Sequence, residues 1–406
     1  MRKKAVAGKN YKGPMGASNL PVGRTRPKEM NPVQGIILLL TIVLAITHTI
    51  QGQSLPETKT QLTLYGFGRT NFVWDDQELG RSDLFVPANI DVDAGVKNPN
   101  FFIGAKQTRI GIDLVQTIGE ESLVLKFEGD FHNDASDAVG IFRMRHAYVK
   151  YRFVLVGMTW SNFYDIDANP SAVDFEGPNS STLSRTPQIR FSTYNSKNVL
   201  SLSIENPLEK VVVSDSIKVL PERFPDIIGA YRVNGAFGFI KLAALLRGIR
   251  YESDKPRSLF GYGATILGRV NTGEKDNIRF QGVMGTGVSK YIQGASGLNY
   301  DAIYNGTNEL EALQMSGANI SFQHFWKDYL HSSITMGVLN VEENPNLGLN
   351  DYQSGYYGSV NLFWEALNQL SFGVEALVGE RSNVNDDSGS AIRIEFSATY
   401  KFKKSI

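Results

Sequence analysis

Cysteine is absent from the 406 residues, so disulfides and thiolate metal centres are excluded. Histidine is scarce, limited to His48, His132, His146, His324 and His331. Neither G-x-S-x-G nor H-E-x-x-H occurs, so two common hydrolase signatures are missing. Beyond residue 60 there is no long helical periodicity, no repeat of solenoid length and no low-complexity tract. Net charge is missing as well, because 41 Lys and Arg balance 41 Asp and Glu. That balance hides a split. Residues 1–29 hold eight basic residues and one acid, and residues 30–52 hold no charge at all. From Gln53 onward the chain therefore carries 33 basic against 40 acidic residues. A mildly acidic body does not suggest nucleic acid as a partner.

Long apolar runs are also few. IILLLTIVLAI (36–46) stands out, and it is short for a span that needs about 20 residues. A basic lead, this apolar core and Gly52 before QSLPE read as an export signal over 30–52. An uncleaved anchor is the alternative reading. Residues 1–29 form a basic extension, left untranslated if synthesis starts at Met30. Residues 53–60 read as a short periplasmic lead.

What the body does have is alternation. In AIRIEFSATYKF (391–402), Ile392, Ile394, Phe396, Ala398, Tyr400 and Phe402 share one face, opposite Arg393, Glu395, Ser397, Thr399 and Lys401. Period two marks a strand with one apolar and one polar face. Sixteen such segments are expected, near 61–74, 102–115, 121–131, 142–151, 153–160, 187–195, 198–205, 226–234, 236–246, 260–271, 276–287, 313–325, 328–340, 354–364, 367–380 and 390–402. Most have the length of a tilted membrane-crossing strand. Connections after odd-numbered strands are expected to be long, and those after even-numbered strands short. NSKN (195–198) and NTGEK (271–275) are examples of the short class. An up-and-down transmembrane β-barrel sorts its loops this way, and closing the sheet satisfies every backbone group in lipid. Aromatics crowding Phe322, Phe325, Trp326 and Tyr329 suit an interfacial girdle. The expected fold is all-β, an antiparallel barrel of about 16 strands over 61–402, with 403–406 as a tail.

Sixteen strands enclose a channel rather than a packed core. With Ile110, Phe142, Met144, Tyr148, Ile189 and Phe191 on the lipid face, Arg109, Arg143, Arg145 and Arg190 face the lumen. The loop after strand 5, WSNFYDIDANPSAVDFEGP (160–178), is too long and too aromatic for a plain connection. Folded inward, it narrows the pore, and its acids Asp165, Asp167, Asp174 and Glu176 face or pair with those arginines. Oxygen ligands of this kind suit Ca²⁺, but plain pore acids are the preferred reading, with no metal or cofactor.

The string GMTWSNFYDIDANPSAVDFEGP (157–178) closely resembles the signature of DcaP-like outer-membrane porins. YGFGR (65–69), RMRHAYV (143–149), TPQIRF (186–191), SIENP (203–207), KLAALLR (241–247) and QHFW (323–326) extend the resemblance, in order, over roughly 61–402. The resemblance implies a homotrimer in the outer membrane of a Gram-negative bacterium, taking up small, mostly anionic solutes. It also implies that Arg109, Arg143, Arg145 and Arg190 attract the anion. Two departures stand out. Residues 53–60 leave no room for the coiled coil that often precedes such barrels, and KKSI follows Phe402 where an aromatic residue usually ends the chain. An outer-membrane enzyme and a non-conducting adhesin barrel are the competing readings. The first lacks a nucleophile with a base, and the inward arginines weigh against the second.

Overall fold

Alternation of apolar and polar side chains builds one closed wall. The computed structural model describes residues 58–79, 83–92, 95–133, 140–195, 197–208, 211–212 and 217–406. The expected basic extension, export signal and most of the lead lie outside the described residues. The wall has sixteen strands: β1 (Thr58–Asp75), β2 (in two pieces, Asn100–Gly104 and Arg109–Ile118), β3 (Glu121–Asn133), β4 (Ile141–Tyr151), β5 (Val154–Trp160), β6 (Arg185–Tyr194), β7 (Asn198–Glu205) and β8 (Asp226–Gly235), followed by β9 (Gly238–Glu252), β10 (Pro256–Asn271), β11 (Asn277–Thr286), β12 (Gln314–Lys327), β13 (Leu330–Val341), β14 (Tyr352–Glu365), β15 (Leu370–Asn383) and β16 (Ser388–Ser405). Each pairs antiparallel with the next. β16 returns to β1 in a register running from Thr63↔Ser405 to Asp75↔Arg393, which closes the barrel.

Lipid-facing positions are apolar and exposed, as Val374, Val378, Ile392, Ile394 and Phe396 show on β15 and β16. Their neighbours Glu375, Leu377, Arg393 and Glu395 point into the lumen and are buried. Trp326, Tyr329, Trp364 and Tyr400 are exposed near the rim of short turns, the place of an interfacial girdle. Among the described residues no helix is long and apolar enough to cross a membrane; strands make the crossing.

Three expectations need correcting. The second strand is interrupted at 105–108, where the Thr108 N–H turns back onto the Ala105 carbonyl. The sorting of loops by length has exceptions at 247–259 and 381–389. There β9, β10, β15 and β16 run on past the expected ends, leaving only 253–255 and 384–387 as connections. The last strand also continues past Phe402 through Ser405, because Lys403 and Lys404 pair with Tyr65 and Leu64 of β1.

Part of the lumen is filled by chain from the long-loop side. Phe163 from the loop after β5 packs with Tyr291 and Ile292 from the loop after β11, and with Leu245, Val283 and Leu339 of the wall. Backbone bonds Gly294 N–H to Asn179 O (2.8 Å) and Gln293 N–H to Ser181 O (2.8 Å) join the two loops. Farther along, the Asn319 amide donates to Ser180 Oγ (3.1 Å) and the Asn179 amide to the Gly355 carbonyl (2.8 Å). The loop after β5 thus reaches across the lumen to β12 and β14.

Candidate pore-lining site

The basic wall begins with two carboxylates on β3. Asp130, fully buried, accepts two bonds from Arg143, Nε to Oδ1 (2.9 Å) and Nη2 to Oδ2 (2.9 Å). Arg145 Nη1 adds a third at 2.7 Å. Glu128 accepts from Arg145 Nε (3.2 Å) and from the Tyr65 hydroxyl (2.9 Å), and it lies 3.3 Å from Arg109 Nη1. Arg109, Arg143 and Arg145 are therefore one cluster, braced by cross-strand carboxylates. Aromatic faces fix the same guanidiniums. Arg145 lies over Trp160 (5.6 Å) and Phe175 (5.6 Å), Arg143 over Phe175 (5.7 Å), and Arg185 over Trp160 (4.7 Å). The ring contacts hold the guanidiniums of Arg143 and Arg145 while their N–H groups bond Asp130 and Glu128.

A bulge corrects the expected phase of β4. Glu128 pairs with His146 and Gly129 with Met144, so Arg145 is an extra residue between them. Two successive side chains, Arg145 and His146, then point inward, and every later position changes face. Tyr148, expected toward lipid, lines the lumen, while Val149 is exposed outside. His146 is buried against Thr159 Oγ1 (3.0 Å) and the Trp160 ring.

Arg190 is set apart from the other three. Its Nε donates to Gln188 Oε1 (2.9 Å) and its Nη2 to the Trp160 carbonyl. Trp160 and Ile166 border two cavities. The first, of about 570 Å³, is lined by Arg69, Arg109, Arg143, Arg145 and Arg185 with Glu128, Asp174 and Glu176. The second, of about 470 Å³, holds Lys150, Arg190, Arg232 and Lys241 with Asp165.

Three of the loop acids, Asp165, Asp167 and Asp174, have other partners than expected, while Glu176 lines the first cavity with the arginines. Asp165 binds Arg232 Nη1 (2.7 Å) and lies 3.9 Å from Lys241 Nζ, and Asp167 binds Arg232 Nη2 (3.0 Å). Lys241 Nζ also donates to the Tyr164 carbonyl (2.6 Å). The loop leaves β5 along β8 and β9, so its first acids meet those strands and never approach Arg109. Asp174 serves the far wall. Its Oδ2 caps the N–H groups of Glu176 (3.0 Å) and Gly177 (2.8 Å), a tight turn completed by the left-handed φ of +74° at Gly177. Its Oδ1 accepts from Phe85 N–H (3.0 Å) and Arg393 Nη1 (3.4 Å). Glu375 Oε2 accepts from the N–H groups of Val173 (2.5 Å) and Asp174 (2.8 Å), and Arg69 Nη2 donates to the Val173 carbonyl. Burial pushes the Asp174 carboxyl above the usual aspartate range, against the pull of Arg393 and of its backbone donors.

Sequence reasoning missed Arg69, Arg232, Lys241 and Arg393 as partners of the loop. All four stand on the polar face of alternating strands, a signal that marks a lumen position without saying what the loop reaches. Asp130 and Glu128 carried the same signal.

A family model described as DcaP outer membrane protein matches residues 35–402. Among solved structures, the outer membrane channel DcaP of Acinetobacter baumannii is 21% identical, with a TM-score of 0.73 over 84% of this chain and 97% of that one. An anion-selective porin from Comamonas acidovorans shares 10% identity, covering 85% of this chain and 100% of that one, at a TM-score of 0.56. The trimer form of OmpT from Vibrio cholerae shares 12%, covering 86% and 100%, at 0.53. No curated protein matches. The family match over most of the length and the closed sixteen-stranded wall lead to one conclusion: the chain belongs to the DcaP outer membrane protein family and is an outer-membrane barrel of porin type.

Proposed function

We propose that this barrel is a passive diffusion channel for small hydrophilic anions, dicarboxylates among them, and that it works as a homotrimer. The loop after β5 is its constriction. One observation carries the reading: cations outnumber carboxylates on both sides of that loop. Five arginines line the first cavity against three carboxylates, or four with Asp130 behind them. Four cations line the second against Asp165, or two acids with the half-exposed Asp167. Arg185 adds weight, because among the described residues it makes no ion pair and its buried Nη1 has no partner.

The physics favours charge selection at a narrow point. A unit-charge contact at about 4 Å is worth ~1 kcal/mol in water and ~4 kcal/mol at an effective dielectric of 20. Confinement by the loop moves the contact toward the second figure. The Arg185 guanidinium, held over the Trp160 ring with its Nη1 unpartnered among the described residues, offers a donor that a carboxylate accepts. Release stays easy because the cations form a sequence of weak contacts, without an enclosed pocket.

Planar-bilayer recording tests the reading. Purified protein should give ohmic steps, carry chloride in preference to potassium, and pass succinate. A preference for potassium would end the anion part of the proposal. The trimer is tested by the mass of the protein–detergent complex, corrected for bound detergent. It should equal three chains, and one chain would contradict it.

A further inference from the structure

A second group of cations lies on the other side of the lumen. Arg269 of β10 and Arg279 of β11 stand directly opposite each other in register, both pointing inward. Like charges placed so are destabilising unless something bridges them. Neither forms an ion pair among the described residues. Arg279 Nη1 donates to Gln323 Oε1 (2.7 Å), and among the described residues Arg269 has no side-chain hydrogen bond and the buried Nε of each has no partner. The acids nearest in the loop are already engaged, Asp165 and Asp167 both by Arg232.

The loop defines where this pair sits. Its short helical turn, Ile166–Ala168, rests on the wall through Ala168, Phe239 and Leu267. Leu267 is two residues from Arg269 on the same face, and Asn271 and Asn277 next to the pair flank the short turn at 272–276. Arg269 and Arg279 therefore lie just past the loop, toward the rim of short turns. Asp167 and Tyr164 of the loop are electrostatic neighbours of Arg279, and the buried Tyr164 hydroxyl has no hydrogen-bond partner either.

We propose that Arg269 and Arg279 form a second anion site, which takes a small oxyanion (carboxylate, phosphate or sulfate) between the two guanidiniums after it passes the loop. Two forks side by side present parallel N–H donors to two acceptor oxygens. Occupancy removes the like-charge conflict that the empty pair carries. The inference rests on the anion-channel reading only in making the site a stage of the path; binding itself is tested separately.

Selenate, a sulfate analogue with a usable anomalous signal, is the probe. Crystals grown with selenate should show an anomalous peak between Arg269 and Arg279, and none there in Arg269→Gln/Arg279→Gln. In detergent solution, selenate should raise the melting temperature of the native protein, and the double variant should need roughly tenfold more selenate for the same rise. The double variant removes repulsion and should fold, as its heat-dependent gel migration would show. Arg269→Lys/Arg279→Lys, which keeps the charge but loses the forks, should fall between the two. No peak between the guanidiniums, or equal selenate dependence in native and double-variant protein, overturns the site. Bilayer selectivity reports on the channel reading independently: an anion-preferring channel without the peak loses only the second site.

Discussion

Replacing Arg393 by methionine should release the tip of the loop. Arg393 is fully buried and bonds Asp75 through Nε (2.6 Å) and Nη2 (2.9 Å), with Nη1 3.4 Å from Asp174. Both carboxylates are buried too. Removing one partner of such a pair leaves uncompensated charge and costs about 3–5 kcal/mol. The sixteen-strand ladder does not depend on this side chain, so most of the penalty should fall on docking of 173–177. Among the holds that remain are Glu375, which accepts from two backbone N–H groups, Arg69, which donates to the Val173 carbonyl, and the Phe85 N–H, which donates to Asp174. A loss of only ~3 kcal/mol shifts the docked-to-released ratio by roughly a hundredfold. Single-channel recording should show larger and noisier steps, and limited proteolysis should cut the loop. Adding Asp75→Asn and Asp174→Asn to Arg393→Met should recover part of the quiet state, because the stranded charges are then gone. Unchanged steps and unchanged protease resistance in Arg393→Met would refute the reasoning.

Other outcomes follow from the same geometry. Glu128→Gln removes the carboxylate beside Arg109 and Arg145, so anion preference should rise; a fall in the reversal-potential measurement contradicts this. Arg232→Gln leaves Asp165 and Asp167 without their main cation, so anion preference should drop, at a cost of about 1 kcal/mol or less for the exposed Asp167 contact. Because burial raises the Asp174 carboxyl, its contribution to docking is complete below about pH 3.9 and is lost as pH rises through the raised value. Asp75, Glu375 and Glu395 share this region with Arg69 and Arg393, so a variant must isolate the effect. Opening flickers should be rarer at pH 4 than at pH 7, and Asp174→Asn should shrink that difference; an equal difference in the variant contradicts the assignment.

The wall was legible because a strand with lipid outside and water inside must alternate, and AIRIEFSATYKF does so without interruption. The same rule put Arg109, Arg143, Arg145 and Arg190 on the polar faces of their strands. The rule failed at β4, where one extra residue in FRMRHAYV changes the phase. A bulge has no compositional mark, so Tyr148 was assigned to the wrong face. Loop ends were misjudged at 253–255 and 384–387 because polar residues at a barrel rim can pair as strand or stand as loop. The partners of Asp165, Asp167 and Asp174 were out of reach for a different reason. They lie on β8, β9 and β16, and only closure of the wall brings those strands within reach of a loop that leaves β5.

The most direct test is the reversal potential across a KCl gradient, measured on native protein and on Arg143→Ala/Arg145→Ala. The native channel should favour chloride, and the double variant should favour it less, because two of the five arginines in the first cavity are gone. A native channel that favours potassium, or a variant with unchanged selectivity, would contradict the account.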